Sequence, residues 1–187
     1  MALSKGTHIL IDANLVGRFV NYNRPDSAAS PSSYEGYAPE ANAGDASLSN
    51  FIASPALFVT SDFGTDWIYG GLGLYFPFGG QARWDENSDF EGDPDTPGAV
   101  GGTQRWHTMD GTVRSMYVTG ALAFKIKQAG LTLGFSGSAI KSEFDTIRAR
   151  NPDGSDDLVA GGQIKEGRAW LQVEGWQYGI AAGLTWD

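Results

Sequence analysis

The stretch Asp66-Trp67-Ile68-Tyr69-Gly70-Gly71-Leu72-Gly73-Leu74-Tyr75-Phe76-Pro77-Phe78 decides the fold. Ile68, Leu72, Leu74 and Phe76 fall on one side of a period-two pattern, and Trp67, Tyr69, Gly71, Gly73 and Tyr75 on the other. Successive side chains of a β-strand point to opposite faces, so the stretch reads as one long strand. The same alternation runs from His8 to Tyr22, where Ile9, Ile11, Ala13, Leu15, Gly17 and Phe19 oppose Asp12, Asn14 and Arg18. A helix fits poorly there, because an apolar stripe at spacings of three and four would have to include Asp12 or Asn14.

Further runs cover Phe51 to Asp62, Thr112 to Ile126, Gly130 to Arg150 and Gly167 to Asp187. All six are far longer than the roughly 5–6 residues of an ordinary strand. In the last run the apolar face changes phase, from Ala169, Leu171 and Val173 to Trp176, Tyr178, Ile180, Ala182, Leu184 and Trp186. Period-two patterns invert when a residue is inserted, which predicts a bulge near Glu174-Gly175.

The connections alternate in length. Asp26–Asn50, Gly79–Asp110 and Asn151–Glu166 are long and polar and hold most of the prolines and acidic residues, whereas Phe63-Gly64-Thr65 and Lys127-Gln128-Ala129 are tight turns. One end of the sheet therefore carries long loops and the other only turns. The 187 residues include 26 glycines and no cysteine, and the formal net charge is −9. That balance argues against nucleic acid as a partner, and the missing cysteines exclude disulfides, thiolate metal sites and cysteine nucleophiles. No run approaches the ~18 apolar residues of a membrane helix, and Met1-Ala2-Leu3-Ser4-Lys5 shows no secretory signal.

Long antiparallel strands with one apolar face and loops segregated by length describe an all-β fold, an antiparallel transmembrane β-barrel or part of one, with about six meander strands in this chain. Hydrocarbon offers backbone groups no partner, so a membrane-crossing sheet has to close. The aromatic residues suggest two girdles: Phe63, Trp67, Phe124 and Trp186 at the turn end, and Phe19, Tyr22, Phe51, Phe76, Phe78 and Phe144 at the loop end. The partner expected from this pattern is outer-membrane lipid. Self-association is expected if the chain is not a fragment, since six strands fall short of the roughly eight of a single-chain barrel. Two other readings remain open. One is a soluble β-barrel that binds small apolar ligands. The other is a structural outer-membrane barrel with a hidden turn at Glu174-Gly175 and another within Asp26–Asn50.

The stretch from Thr65 to Gly80 resembles the third barrel strand of the FadL/TodX family of outer-membrane channels for long-chain fatty acids and other hydrophobic compounds. The likeness continues through Val118-Thr119-Gly120-Ala121-Leu122-Ala123-Phe124-Lys125-Ile126 and Leu131-Thr132-Leu133-Gly134-Phe135-Ser136-Gly137. It ends in Glu174-Gly175-Trp176-Gln177-Tyr178-Gly179-Ile180-Ala181-Ala182-Gly183-Leu184-Thr185-Trp186, which is similar to the family's sixth strand. The resemblance implies a 14-stranded barrel plugged by an N-terminal hatch, with hydrophobic small molecules such as fatty acids and hydrocarbons as partners and ligand leaving sideways where the third strand kinks inward. It also implies that residues 1–187 form a single β-barrel domain, the N-terminal barrel portion without hatch and C-terminal strands, located in the cell outer membrane of a Gram-negative bacterium.

Candidate functional residues follow. In Tyr75-Phe76-Pro77-Phe78-Gly79, proline removes a ladder donor and glycine tolerates a bend, which marks either a lateral opening or the end of the strand before a long loop. Arg18, Arg114 and Lys125 are read as lumen cations, able to hold a fatty-acid carboxylate or to pair with Asp12 or Glu174. No catalytic residue, metal site or cofactor is expected. His8 and His107 are isolated, and Glu143 and Asp145 share a strand face without an accompanying nucleophile. The run Asn151-Pro152-Asp153-Gly154-Ser155-Asp156-Asp157 is rich in oxygen ligands, yet lacks the distal glutamate of a calcium loop.

Overall fold

The computed structural model describes residues 5–29, 39–160 and 162–186, without the side chains of Phe78 and Ala160. The long strands are β1 (Thr7–Arg24), β2 (Gly44–Ser61), β3 (Ile68–Arg83), β4 (Asp110–Ile126), β5 (Leu131–Arg150) and β8 (Gly167–Trp186). They form one antiparallel sheet in the order β1-β2-β3-β4-β5-β8. A small hairpin, β6 (Val159–Ala160) with β7 (Gln163–Ile164), interrupts the last long connection. Among the described residues the only helical elements are short 3-10 turns. The sheet does not close on itself: β1 and β8 are its edges.

Pairing assigns every side chain to a face. Ile9, Ile11 and Leu15 of β1 share one face with Val59, Leu57 and Ala53 of β2, and the same face continues through Leu72 and Leu74 of β3 to Leu122 and Val118 of β4. It then passes through Phe135 and Ala139 of β5 to Ala182 and Tyr178 of β8. This outer face is apolar and open, with Leu72 67% exposed, Leu15 75% and Ile180 95%. The inner face carries Phe58, Tyr69, Tyr75 and Tyr117 and is the more buried of the two. At the turn end Phe63, Trp67 and Trp186 stand exposed, with Phe124 packed beside Trp67 at 6.4 Å between ring centres.

The phase change in β8 has a different cause from the one expected. Pairing between β5 and β8 is unbroken from Leu131 opposite Trp186 to Arg150 opposite Gly167, so there is no bulge at Glu174-Gly175 and no hidden turn. The outer face itself changes character at one level across three strands. Below the row Met116–Lys141–Trp176 it is apolar; above it lie Arg114, Glu143 and Glu174, then Thr112, Asp145 and Gln172. Arg114 pairs with Glu143 at 2.7 Å, and Lys141 reaches Glu174 at 3.5 Å. The inner face inverts in the opposite sense, to Ile140, Phe144, Leu171 and Val173. Each strand thus passes between two surroundings along its length, a horizontal boundary that a single-sequence pattern reports as an inversion. Phe144 lies inward, and Tyr22 packs against Trp84 and His107, so neither joins a loop-end girdle. Phe19 and Phe51, in edge-to-face contact at 6.1 Å, do stand on the outer face there.

The deepest burial lies in the long connections, at the end of the sheet. Ala41, Ala99, Leu158 and Val159 form a small apolar core, with Phe90 and Trp106 packed on it. Beside it Arg105 is fully buried, and its guanidinium is saturated. Nε donates to Glu166 at 3.0 Å, Nη1 to the carbonyls of Ala41 and Gly102, and Nη2 to Asn42 and Glu166. Asn42 also accepts from the Trp106 indole and donates to the Asp156 carbonyl. One cation therefore ties together all three long connections. Because these connections touch β1, β2 and β5 together, the sheet must curl around them.

Removing only one member of this ion pair leaves a buried charge without its partner. Glu166→Ala is expected to lower stability by about 3–5 kcal/mol, and Arg105→Met with Glu166→Leu by much less. Urea unfolding followed by tryptophan fluorescence checks the difference.

Candidate functional site

The predicted stretch Tyr75–Gly79 is neither a strand end nor an ordinary strand. It lies inside β3, which runs on to Arg83 against β4. The register slips between Tyr75 opposite Tyr117 and Phe78 opposite Ser115, so one extra residue sits on β3 as a bulge. On the other side the ladder to β2 stops altogether: Ala56 opposite Tyr75 is its last pair. Above it, β2 from Gly44 to Pro55 and β3 from Phe76 to Arg83 run without backbone pairing to each other. Pro55 and Pro77 flank this point, and neither has an N–H to offer.

The resulting split is bridged mainly by side chains. Ser54 Oγ donates to the Phe76 carbonyl, and Asn50 Nδ2 donates to the Gln81 carbonyl. Arg18 reaches across from β1 to the same Gln81 carbonyl and lies 3.4 Å from Asn50 Oδ1. Higher up, just past the end of β3, Asp85 N donates to the Ser47 carbonyl of β2 at 2.9 Å.

Below the split the inner face holds an apolar pocket of about 570 Å³. Its floor is built from small residues on four strands, among them Gly71, Gly73, Ala121, Ala123, Gly134, Ser136, Ala181 and Gly183. Phe58, Tyr69 and Tyr75 stand around it. The small residues leave room for these rings: a Cβ on Gly73 would lie 2.8 Å from the Phe58 ring. Tyr75 stacks on Tyr117 at 5.2 Å, leans on Phe58 at 5.5 Å and places its hydroxyl 3.3 Å from Thr119 Oγ1. It belongs to the pocket wall and to the lower lip of the split at once.

The other predicted residues fall in different places. Arg18 lies on the inner face at the split. Lys125, opposite Thr132 next to the turn, also lies on the inner face but at the far end of the sheet. Arg114 is a correction. It shares the outer face with Met116 and Val118 and is held by Glu143, because its even position puts it in phase with the apolar residues and not with Tyr117 and Thr119. The three cations therefore form no common site. Pro77 is exposed, Phe76 contributes its carbonyl, and the Phe78 side chain lies outside the described residues. Asp12 bonds the amide of Ala13, and Glu174 points to the outer face.

The acidic run after β5 is occupied by its own cations. Lys165 meets Asp153 and lies 3.7 Å from Asp157, and Arg24 pairs with Asp156. Among the described residues no cluster of His, Asp and Glu is arranged to hold a metal ion.

The sheet matches the crystal structure of a Pseudomonas aeruginosa FadL homologue with a TM-score of 0.54 and 15% sequence identity, over 97% of this chain and 39% of that one. The fold is FadL-like. At that identity the likeness establishes the architecture alone, and this chain spans about two fifths of the other's length. No family model matches the sequence, and no curated protein does.

Lys165 and the Ser155 amide and hydroxyl hold the Asp153 carboxyl down to about 2. A depressed carboxylate stabilises the folded state fully above its ordinary pKa of about 3.9, and that contribution fades as pH falls through its folded value. A ¹³C-carboxyl titration is expected to place the Asp153 midpoint near 2. Lys165→Met moves it upward toward the ordinary value.

Proposed function

We propose that this chain forms part of an outer-membrane channel for hydrophobic compounds, long-chain fatty acids among them. The observation that carries the reading is the continuity of the apolar pocket with the split between β2 and β3 through Tyr75. An apolar molecule in the pocket touches rings and small residues, and the nearest break in the wall lies directly above it. That break is closed chiefly by Ser54, Asn50 and Arg18 side chains, which swing aside at far lower cost than a backbone ladder unzips. The ligand would thus leave sideways into the bilayer.

The outer face supports a lipid setting. Between Tyr178 and Trp186 it is apolar for about the 9–11 residues that a tilted strand needs to cross. Charged pairs begin immediately above, and aromatic rings stand at both limits. In this reading β1 and β8 are paired by further strands, because an open ladder in hydrocarbon is prohibitively costly. The reaction is passive passage, with no bond made or broken.

Three measurements test this. Expressed protein should fractionate with membranes and require detergent; recovery in plain buffer would favour the soluble apolar-ligand binder instead. Leu122→Arg on the outer face should cost about 2–4 kcal/mol of folding free energy in lipid, and Ser136→Arg on the inner face much less. A disulfide joining Ser54→Cys to Phe76→Cys across the split should abolish transfer of a fluorescent fatty acid into vesicles while leaving its binding intact. Undiminished transfer by the locked protein sinks the lateral route.

A further inference from the structure

We propose that the two open margins of the sheet are complementary, so that two copies of this chain close one 12-stranded barrel, with β8 of each pairing with β1 of the other. The proposal rests on the membrane-channel reading and names a source for the further strands which that reading requires. β1 runs from the turn end to the loop end, β8 runs back, and each has a neighbour on one side only. β8 of one copy beside β1 of the next is therefore an antiparallel pair, with every long connection at the same end. Joining β1 to β1, or β8 to β8, is also antiparallel but turns one copy upside down. Its long acidic connections would then have to be carried through hydrocarbon to the opposite side.

The two margins match in height and in phase. On β1 the outer positions from Ile9 to Phe19 are apolar or glycine, and Asn21 comes next. On β8 the outer positions from Trp186 to Trp176 are apolar or aromatic, and Glu174 comes next. The two bands, 9 to 19 and 176 to 186, are equally tall at 11 residues each. Setting Ile9 beside Trp186 places Leu15 beside Ile180, Phe19 beside Trp176 and Asn21 beside Glu174, so both bands end at one level. The inner positions then bring Asp12, Asn14 and Arg18 beside Gly183, Ala181 and Gln177. No charged side chain is turned toward lipid anywhere within the joined band.

Closure also demands a particular stagger between strands. Followed from partner to partner across the sheet, Ile9 leads to Val59, Leu72, Gly120, Gly137 and Ile180. Ile180 stands six residues from Trp186, the residue that the apolar bands place beside Ile9 of the next copy. One copy thus contributes a stagger of six residues over its six strands, and two copies contribute twelve over twelve. A stagger equal to the strand number tilts the strands by about 36°, inside the roughly 35–45° of membrane barrels, and twelve is an even number within their range. Each seam joins strands of 18 and 20 residues, as long as the pairs within the sheet. A head-to-tail contact of this kind closes at two copies when each sheet takes half the circumference.

Oxidation of the full chain in detergent, carrying Leu15→Cys together with Ile180→Cys, tests the seam. A covalent dimer is expected on a non-reducing gel, and neither single variant should give one. Light scattering of the unsubstituted protein should find two chains per detergent particle, a readout that does not depend on how the variants fold. One chain per particle overturns the pairing alone and leaves the channel reading standing, as does a cross-link closed within a single chain. Trimers and larger species overturn it too, because the contact then fails to close. Dimers formed by either single variant overturn it in favour of like margins meeting. Recovery in plain buffer removes the channel reading, and this barrel with it.

Discussion

Backbone pairing between long neighbouring strands is the constraint on which this structure rests, because side-chain burial supplies so little. Strands of 16 to 20 residues pair along almost their whole length, while large apolar residues such as Leu72, Phe51 and Ile180 remain open on the outer face. A water-soluble sheet of this size would cover that face with a second layer. Here the ladder is the continuous element, and β1 and β8 leave its two margins open. Side chains decide which environment each face meets, but the amide and carbonyl groups decide the shape.

Given a ladder without a packed interior, order at the loop end has to come from the connections themselves. They supply it with a core of alanines and short aliphatic residues and a buried arginine whose donors are all occupied. Arg105 suits this role better than lysine would, because its planar fork satisfies two backbone carbonyls, an amide oxygen and a carboxylate together. The arrangement also closes the sheet's curvature, since it joins connections that leave strands far apart in the ladder order.

Against that background the interruption between β2 and β3 is informative. A ladder that runs unbroken from Thr7 to Arg24 on β1 and from Leu131 to Arg150 on β5 fails between Ala56 and the loop end on β3. Among the described residues two prolines lie inside strands, Pro55 and Pro77, and both sit at the break. Polar side chains from β1 and β2 stand in for the missing backbone bonds. The apolar pocket beneath exists for an equally local reason: glycine, alanine and serine on the floor strands are too small to fill the space that Phe58, Tyr69 and Tyr75 enclose.

Much of this was legible in the residues alone. Strict alternation over long runs specified the strands, and the contrast between polar connections and tight turns specified which end carries the loops. Both are local properties, written in consecutive side chains. What the alternation could not give was the level at which surroundings change. The inversion at Glu174 is a property of three neighbouring strands in register, visible only once Lys141 and Arg114 stand beside it. Arg114 was misplaced by its charge although its even position puts it in phase with Met116 and Val118, and Pro55 takes its meaning only from Pro77 across the break. Arg105, Glu166 and Asn42 are far apart in sequence and carry no motif; only folded loops bring them within hydrogen-bonding distance. Sequence by itself thus determined the strands and the end that carries the loops, because a strand's periodicity is intrinsic to the chain. Tertiary structure decided the split, the pocket and the buried arginine network, because each arises from residues on different strands whose register no single segment encodes.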